Sequence, residues 1–133
     1  MPCIRIALAA ALIAAAAGSA MAQQPQPEQP AEIGFPSVAA ALEGMRAKPG
    51  VTVLLQDGWT IINDTGPTIW SFTPPAHPAH PSAARRALVS KDGQMFVETR
   101  IKCEASKPAC DKLRDDYAAL DRRMIEELSR SRK

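Results

Sequence analysis

The sequence predicts an α+β protein with one antiparallel sheet of about five strands. A short N-terminal helix precedes the sheet, and a long C-terminal helix packs on one face. Short apolar segments alternate with turn signals between residues 51 and 103, which is typical of antiparallel strands joined by tight turns. Apolar residues then recur at intervals of three and four up to residue 128, which is typical of an amphipathic helix.

The chain begins with the pattern of a secretory signal peptide. Arg5 precedes the apolar run Ile6 to Ala17, and Ala20-Met21-Ala22 fits a small-residue cleavage site. The apolar run is shorter than the roughly 20 residues that span a bilayer. We therefore predict that residues 1–22 are removed on export to the periplasm or the exterior, with no membrane insertion of the remaining chain.

Residues 23–34 are predicted to be a disordered linker, because this Gln/Pro-rich segment offers too little apolar surface to offset the entropy of ordering it. A single α+β domain is then predicted over residues 35–130. The chain has 16 Lys and Arg against 14 Asp and Glu, a net charge of +2. This balance argues against nucleic-acid binding, which needs a basic face to neutralise phosphates.

The first half of the domain reads as a helix followed by three strands. Ser37 is the expected N-cap of the helix, and Pro49-Gly50 ends it. Strands are predicted at 51–55, 59–63 and 68–73, with Asp57-Gly58 as a two-residue hairpin turn. Pro74 ends the third strand, because proline has no N–H for the ladder.

The second half reads as a hairpin and a helix. Strands at 84–90 and 94–103 flank Asp92-Gly93, and this spacing pairs Leu88 with Val97 and Ala84 with Ile101. The final helix is predicted over 107–129 after the N-cap Ser106. Its apolar stripe contains Cys110, Leu113, Tyr117, Leu120, Met124 and Leu128.

Two cysteines are predicted to form a structural disulfide. Cys3 lies in the leader, which leaves Cys103 and Cys110. Cys103 falls on the apolar face of its strand and Cys110 on the apolar stripe of its helix, so both sulfurs point inward at the same corner. Closing so short a loop contributes about 2–3 kcal/mol. The six intervening residues do not match the C-x-x-C spacing of a redox-active dithiol.

A proline-rich connector follows the third strand. Pro75, Pro78 and Pro81 recur every three residues, as in a polyproline II helix, which has three residues per turn and no internal hydrogen bonds. Trp70 and Phe72 share a strand face just before it. These aromatics either belong to the core or form, with the three prolines, an exposed binding surface for a partner.

His77 and His80 are the two histidines of the chain, and imidazole suits copper and zinc. A polyproline II spacing would hold them about 9 Å apart, which argues against a simple chelate. The alternative is that both are partly exposed residues of a stiff connector. No nucleophile–base set or glycine-rich phosphate loop is recognisable, so enzymatic activity is not predicted.

Several segments together carry a resemblance. They are Gly58-Trp59, Trp70-Ser-Phe-Thr-Pro, His77-Pro-Ala-His-Pro-Ser82, Arg85-Arg86 and Cys103-Glu-Ala-Ser-Lys-Pro-Ala-Cys-Asp-Lys-Leu113. Over about residues 35–128 the chain resembles a group of small exported proteobacterial proteins of uncharacterised function. J-domain chaperones carry His-Pro-Asp between helices, whereas here His80-Pro81 precedes Ser82 in a strand-rich region, so no J-domain function is inferred.

The sequence thus predicts an exported periplasmic, non-enzymatic binding or interaction module, whose partner is an unknown periplasmic protein or ligand and which needs no cofactor. One alternative is copper or zinc binding through His77 and His80. A further alternative is a chaperone-like holdase, which would need an exposed apolar groove beside Trp70.

Overall fold

A computed structural model describes residues 33–133 of the chain. The predicted signal peptide and nearly all of the predicted linker lie outside these residues. The elements are helix α1 (Val38–Ala47), strands β1 (Thr52–Gln56), β2 (Trp59–Asn63), β3 (Thr68–Phe72), β4 (Ser82–Lys91) and β5 (Gln94–Cys103), and helix α2 (Lys107–Ser131). The α+β class and the order of elements are as predicted.

The five strands form one antiparallel sheet in the order β1-β2-β3-β4-β5, so every strand neighbours the next along the chain. Leu88 pairs with Val97 and Ala84 with Ile101, as the spacing around Asp92-Gly93 predicted. Asp92 and Gly93 both have positive φ, 51° and 75°, which a two-residue type I′ hairpin turn requires. The turn residues therefore fix the register of this hairpin.

Helix α1 is held at its N-terminus by two separate acceptors. Ser37 Oγ accepts a hydrogen bond from the N–H of Ala40 at 3.0 Å, which is the predicted N-cap. The N–H of Val38 donates to Glu104 Oε1 at 2.8 Å, and Glu104 lies between β5 and α2. The start of the first helix is thereby tied to the start of the second.

The two helices pack on opposite faces of the sheet. Helix α2 covers one face, as predicted, while α1 covers the other and builds a core there around Ile62, Trp70 and Phe72. Because side chains alternate along a strand, Ser71 and Ala84 face α2, whereas their neighbours Phe72 and Ala83 face α1. The sheet therefore separates two cores.

Ile33 and Gly34, the last two residues of the predicted linker, lie within the residues that the structure describes. Ile33 is buried and packs in the α1 core. Burial of this large aliphatic side chain next to the Gln/Pro-rich run anchors the backbone on the core.

The second core lies between α2 and the β4–β5 part of the sheet. Leu113 and Tyr117 of α2 are buried against Ala84 and against Ala79 of the preceding loop. Cys103 and Cys110 form the predicted disulfide at the corner between β5 and α2, with their Cα atoms 5.7 Å apart.

No helix within residues 33–133 is long and apolar enough to cross a membrane.

Candidate binding groove

Helix α2 leaves part of its sheet face uncovered. It packs over β5 and the neighbouring β4, so the α2-side surface of β1, β2 and part of β3 stays open. The result is a groove of about 490 Å³ between this surface and the helix, which we call the α2 groove. It is lined by Gln56, Trp59, Ile61, Ile69, Ser71, His77, Arg86, Leu113, Asp116, Tyr117, Leu120 and Arg123.

The floor and one wall of the α2 groove are apolar and reach solvent. Ile69 on β3 is 36% exposed and Leu120 on α2 is 37% exposed. Trp59 and Ile61 on β2 are half-buried beside them, and Leu54 on the edge strand β1 pairs with Ile61 on the same face. Exposed apolar residues that lie together in a concavity are typical of a binding site.

A polar cluster lies beside the groove, between α2 and the sheet, and its Arg86 and Tyr117 also line the groove. Arg86 donates from Nε to Asp121 Oδ1 at 2.9 Å, and its Nη2 lies 2.8 Å from the same oxygen. Thr99 Oγ1 donates to Asp121 Oδ2 at 2.5 Å. The guanidinium carbon of Arg86 lies 5.8 Å from the centre of the Tyr117 ring. The cluster thus satisfies its own charges and joins helix to sheet.

Tyr117 is the buried member of this cluster. Burial raises the pKa of its phenol above the ordinary value, because desolvation disfavours the charged phenolate. A hydrogen bond with Ser71 and the positive charge of Arg86 oppose that rise in the pKa, while Asp121 adds to it. The phenol is therefore a neutral structural group of the groove at physiological pH.

The sequence did not indicate this cluster. Asp121 is one place along the helix from the predicted stripe residue Leu120, yet Asp121 faces the sheet and Leu120 faces the groove. The sequence signal that could have indicated it is helical spacing, because Asp121 lies four residues after Tyr117 and three residues before Met124.

The segment Pro74–Pro81, which we call the proline strap, is not a polyproline II helix, so that prediction is wrong. The N–H of His77 donates to the carbonyl of Pro74, and the N–H of His80 donates to the carbonyl of His77, each at 3.0 Å. Two consecutive turns therefore replace the extended form. They bring Ala79 into the α2 core, where it is buried, and this burial favours the folded strap.

The strap uses both histidines in local contacts. His77 Nδ1 accepts the N–H of Ala79 at 3.0 Å, and its ring packs edge-on against Trp59 with centroids 5.2 Å apart. His80 Nδ1 lies 3.0 Å from the carbonyl oxygen of Thr73. Residues 33–133 contain no group of three or more His, Cys, Asp or Glu side chains that could hold a metal ion.

The predicted binding surface is not assembled, because its aromatic members belong to the core. Trp70 and Phe72 are each 3% exposed, stacked with centroids 6.2 Å apart and covered by α1. Pro75 and Pro78 are exposed and Pro81 is half-buried. The alternative that Trp70 and Phe72 are core residues is the correct one, since the face they share is the face that α1 covers.

The groove and the adjacent polar cluster belong to a small α+β module, and comparison with known proteins adds no function to that description. No family model, no curated protein and no solved structure matches the chain.

Proposed function

We propose that this protein is an exported periplasmic, non-enzymatic binding module that takes an apolar peptide segment of a partner protein into the α2 groove. The observation that carries the proposal is the partly exposed apolar strip formed by Ile69, Leu120, Trp59 and Ile61. Apolar side chains that stay in water gain no burial free energy on folding, so a concave strip of them is better explained by a ligand than by folding.

The margins of the groove suit a peptide better than a small polar ligand. Gln56 and His77 lie at the strand end of the groove, and Asp116 and Arg123 lie along the helix. These side chains offer both donors and acceptors to the backbone of a peptide whose apolar side chains enter the groove. Affinity would come from the apolar contacts and orientation from the polar margin.

The buried polar groups beside the groove are engaged within the fold, which supports binding rather than catalysis. Arg86 is paired with Asp121, and its guanidinium lies 5.8 Å from the centre of the buried Tyr117 ring. A general acid or base must reach the reacting atoms with a free proton or lone pair. The groove presents these groups as positioned structural pairs.

Export rests on two features at different places in the chain. The leader pattern of residues 1–22 directs the chain out of the cytoplasm. The disulfide between Cys103 and Cys110 is compatible with an oxidising compartment.

The test is a selection of peptides from a random displayed library on the protein purified after export. We expect enriched peptides to be apolar, and the fluorescence of Trp59 to report their binding, because Trp59 lines the groove and Trp70 is buried. Ile69→Asp should abolish binding. The matched control is Phe96→Asp, since Phe96 is 45% exposed on the opposite face, away from the groove and from β1.

Two results would contradict the proposal. One is that the selection yields no peptide that binds. The other is that the selected peptides bind Ile69→Asp and the unchanged protein equally. Equal binding of many unrelated unfolded chains through the same groove would instead favour the holdase alternative.

The copper or zinc alternative has less support. Because His77 Nδ1 accepts a backbone N–H, the neutral ring carries its proton on Nε2. Metal binding through Nε2 would therefore require His77 to give up its hydrogen bond with Ala79. The metal titration described in the Discussion tests this alternative.

A further inference from the structure

We propose that the edge strand β1 pairs antiparallel with β1 of a second copy of this chain, which joins two sheets into one ten-stranded sheet. Strand β1 has β2 as its one neighbour in the described sheet, and all five of its residues are exposed. Edge strands that stay unpaired usually carry charges, a proline or a bulge. Strand β1 reads Thr-Val-Leu-Leu-Gln, without any of these.

The other edge of the sheet shows the contrast. Strand β5 carries Glu98, Arg100 and Lys102 along the face that α2 does not cover. Charged side chains of this kind oppose pairing with another strand. The two edges of one sheet are therefore built differently, and β1 is the edge that is open to a partner.

The backbone of β1 fixes which groups face outward. Gln56 and Trp59 flank the two-residue turn Asp57-Gly58, and the bond that closes such a turn joins the residues at its two ends. Hydrogen-bonding direction alternates along an antiparallel strand. The N–H and C=O groups of Gln56, Leu54 and Thr52 therefore point to β2, and those of Val53 and Leu55 point away from the sheet.

A two-fold axis at Leu54 satisfies these outward groups. Val53 of each copy then lies opposite Leu55 of the other, and the two residues exchange both backbone hydrogen bonds. Leu54 lies opposite Leu54 of the second copy as a pair without hydrogen bonds, the arrangement in which side chains come closest. Both reciprocal bonded pairs form without any change in β1.

The side chains of β1 are self-complementary in the same register. The strand reads polar, apolar, apolar, apolar, polar from Thr52 to Gln56, which is symmetric about its centre. Leucine meets leucine at the axis, valine meets leucine beside it, and threonine meets glutamine at the ends. Each cross-strand contact therefore joins groups of like polarity, with no charge opposite another charge. Strand β1 of a second copy therefore matches the polarity pattern of β1 without any change in either chain.

Pairing at β1 would also extend the groove. The two-fold axis of an antiparallel strand pair stands perpendicular to the sheet, so the α2 face of both copies lies on the same side. Strands β1 to β3 of each copy then form a common floor of six strands, about 24 Å across at nearly 5 Å per strand. The two α2 helices stand on either side of it. This consequence rests on the proposed function, whereas the pairing itself does not.

The first test measures the mass of the protein purified after export by light scattering and sedimentation over a range of concentrations. We expect a dimer that dissociates on dilution. Leu54→Lys places two like charges at the axis and should raise the dissociation constant at least about tenfold. Phe96→Lys is the matched control, because Phe96 is an exposed apolar residue at the far end of the sheet, and it should leave the dimer unchanged.

The second test examines the register. A Val53→Glu/Leu55→Glu variant and a Val53→Lys/Leu55→Lys variant should each be monomeric, and an equal mixture of the two should recover the dimer. Leu54→Cys should yield a disulfide-linked dimer under oxidation, whereas Thr52→Cys should not, because four residues separate the two copies of Thr52 along the strand. Circular dichroism would show that each variant is folded.

A mass of one chain at every concentration would overturn the proposal. A strand of a different protein would then be the candidate partner of β1. A dimer that Leu54→Lys does not weaken would overturn it as well, and would place the interface elsewhere. Failure of peptide binding with the dimer intact would reject only the proposed function.

Discussion

Arg86 of β4 and Asp121 of α2 form an ion pair with 2.8 Å between Arg86 Nη2 and Asp121 Oδ1, and it joins the C-terminal helix to the sheet. Both side chains are mostly buried, with exposed fractions of 11% and 17%. Removing one member of such a pair leaves an uncompensated charge with little access to water. The pair is therefore a point at which single and double substitutions should have different effects.

Asp121→Ala should lower the free energy of unfolding by about 2–4 kcal/mol, because it leaves the charge of Arg86 without its partner and also removes the acceptor of Thr99. Urea unfolding monitored by circular dichroism measures this loss. Asp115→Ala is the control, since Asp115 is exposed on the same helix and should change the free energy by less than about 0.5 kcal/mol. Equal effects of the two substitutions would show that the pair is not important for stability.

The double variant Arg86→Met/Asp121→Leu should be more stable than Asp121→Ala, because replacing both charges by apolar groups leaves no charge unpaired. A double variant as unstable as Asp121→Ala would indicate that the loss of stability comes mainly from the hydrogen bond of Thr99 and not from the ion pair.

Tyr117 allows a direct measurement of the environment beneath α2, since it is the single tyrosine of the chain. Its phenolate absorbance should titrate above pH 10 in the folded protein and near pH 10 in urea, because burial raises the pKa. The raised pKa stabilises the fold below pH 10, and this stabilisation is lost as the pH rises through the folded pKa. Tyr117→Phe should weaken that alkaline loss. Titration of the folded protein near pH 10 would mean that the phenol reaches water.

Two isoleucines test the assignment of the faces. Ile62→Ala should lower the free energy of unfolding by about 2–5 kcal/mol, because Ile62 is fully buried in the α1 core and its removal leaves a cavity. Ile69→Ala is the matched control on the next strand and should cost less than about 1.5 kcal/mol, because Ile69 is partly exposed in the groove. Similar losses from both would show that the groove is closed.

The disulfide should contribute measurably to stability. Cys103→Ser/Cys110→Ser should lower the free energy of unfolding by about 2–3 kcal/mol. Thiol counting on the unreduced protein purified after export should find no free thiol at either position. Two free thiols, or no loss of stability in the double variant, would contradict a structural disulfide.

Titration with Cu(II) and Zn(II) tests the histidines. We expect the unchanged protein and the His77→Ala/His80→Ala variant to bind both metals weakly and equally, because His77 uses Nδ1 as an acceptor within the strap. Binding that is tight in the unchanged protein and lost in the variant would restore the metal-binding alternative. Calorimetry provides the measurement.

Local signals predicted the strands and their register more successfully than the contacts between elements. The residue pairs of the β4–β5 hairpin were predicted correctly. The alternation of apolar and polar side chains and the two-residue turn at Asp92-Gly93 together allow a single register. The side on which α1 packs was not predictable, since its apolar residues fit either face. Trp70 and Phe72 therefore could not be assigned to core or surface from the sequence.

The α2 groove could not be predicted from the sequence for a related reason. Leu120 of the predicted apolar stripe lines the groove whereas Asp121 contacts the sheet, and only the packing of the helix against β4 and β5 sets this orientation. The proline strap shows the same limit, since its turns depend on the burial of Ala79 by a helix that begins 28 residues later, at Lys107.

The sheet's position between two separate cores has a consequence for how the sequence can change. Residues that are adjacent along β3, such as Ser71 and Phe72, belong to different cores, so their substitutions should affect stability independently. Residues far apart in sequence, such as Met45 and Ile62, share a core and must change together. The α2 side can therefore diversify in shape and specificity while the α1 side stays constant and maintains the fold.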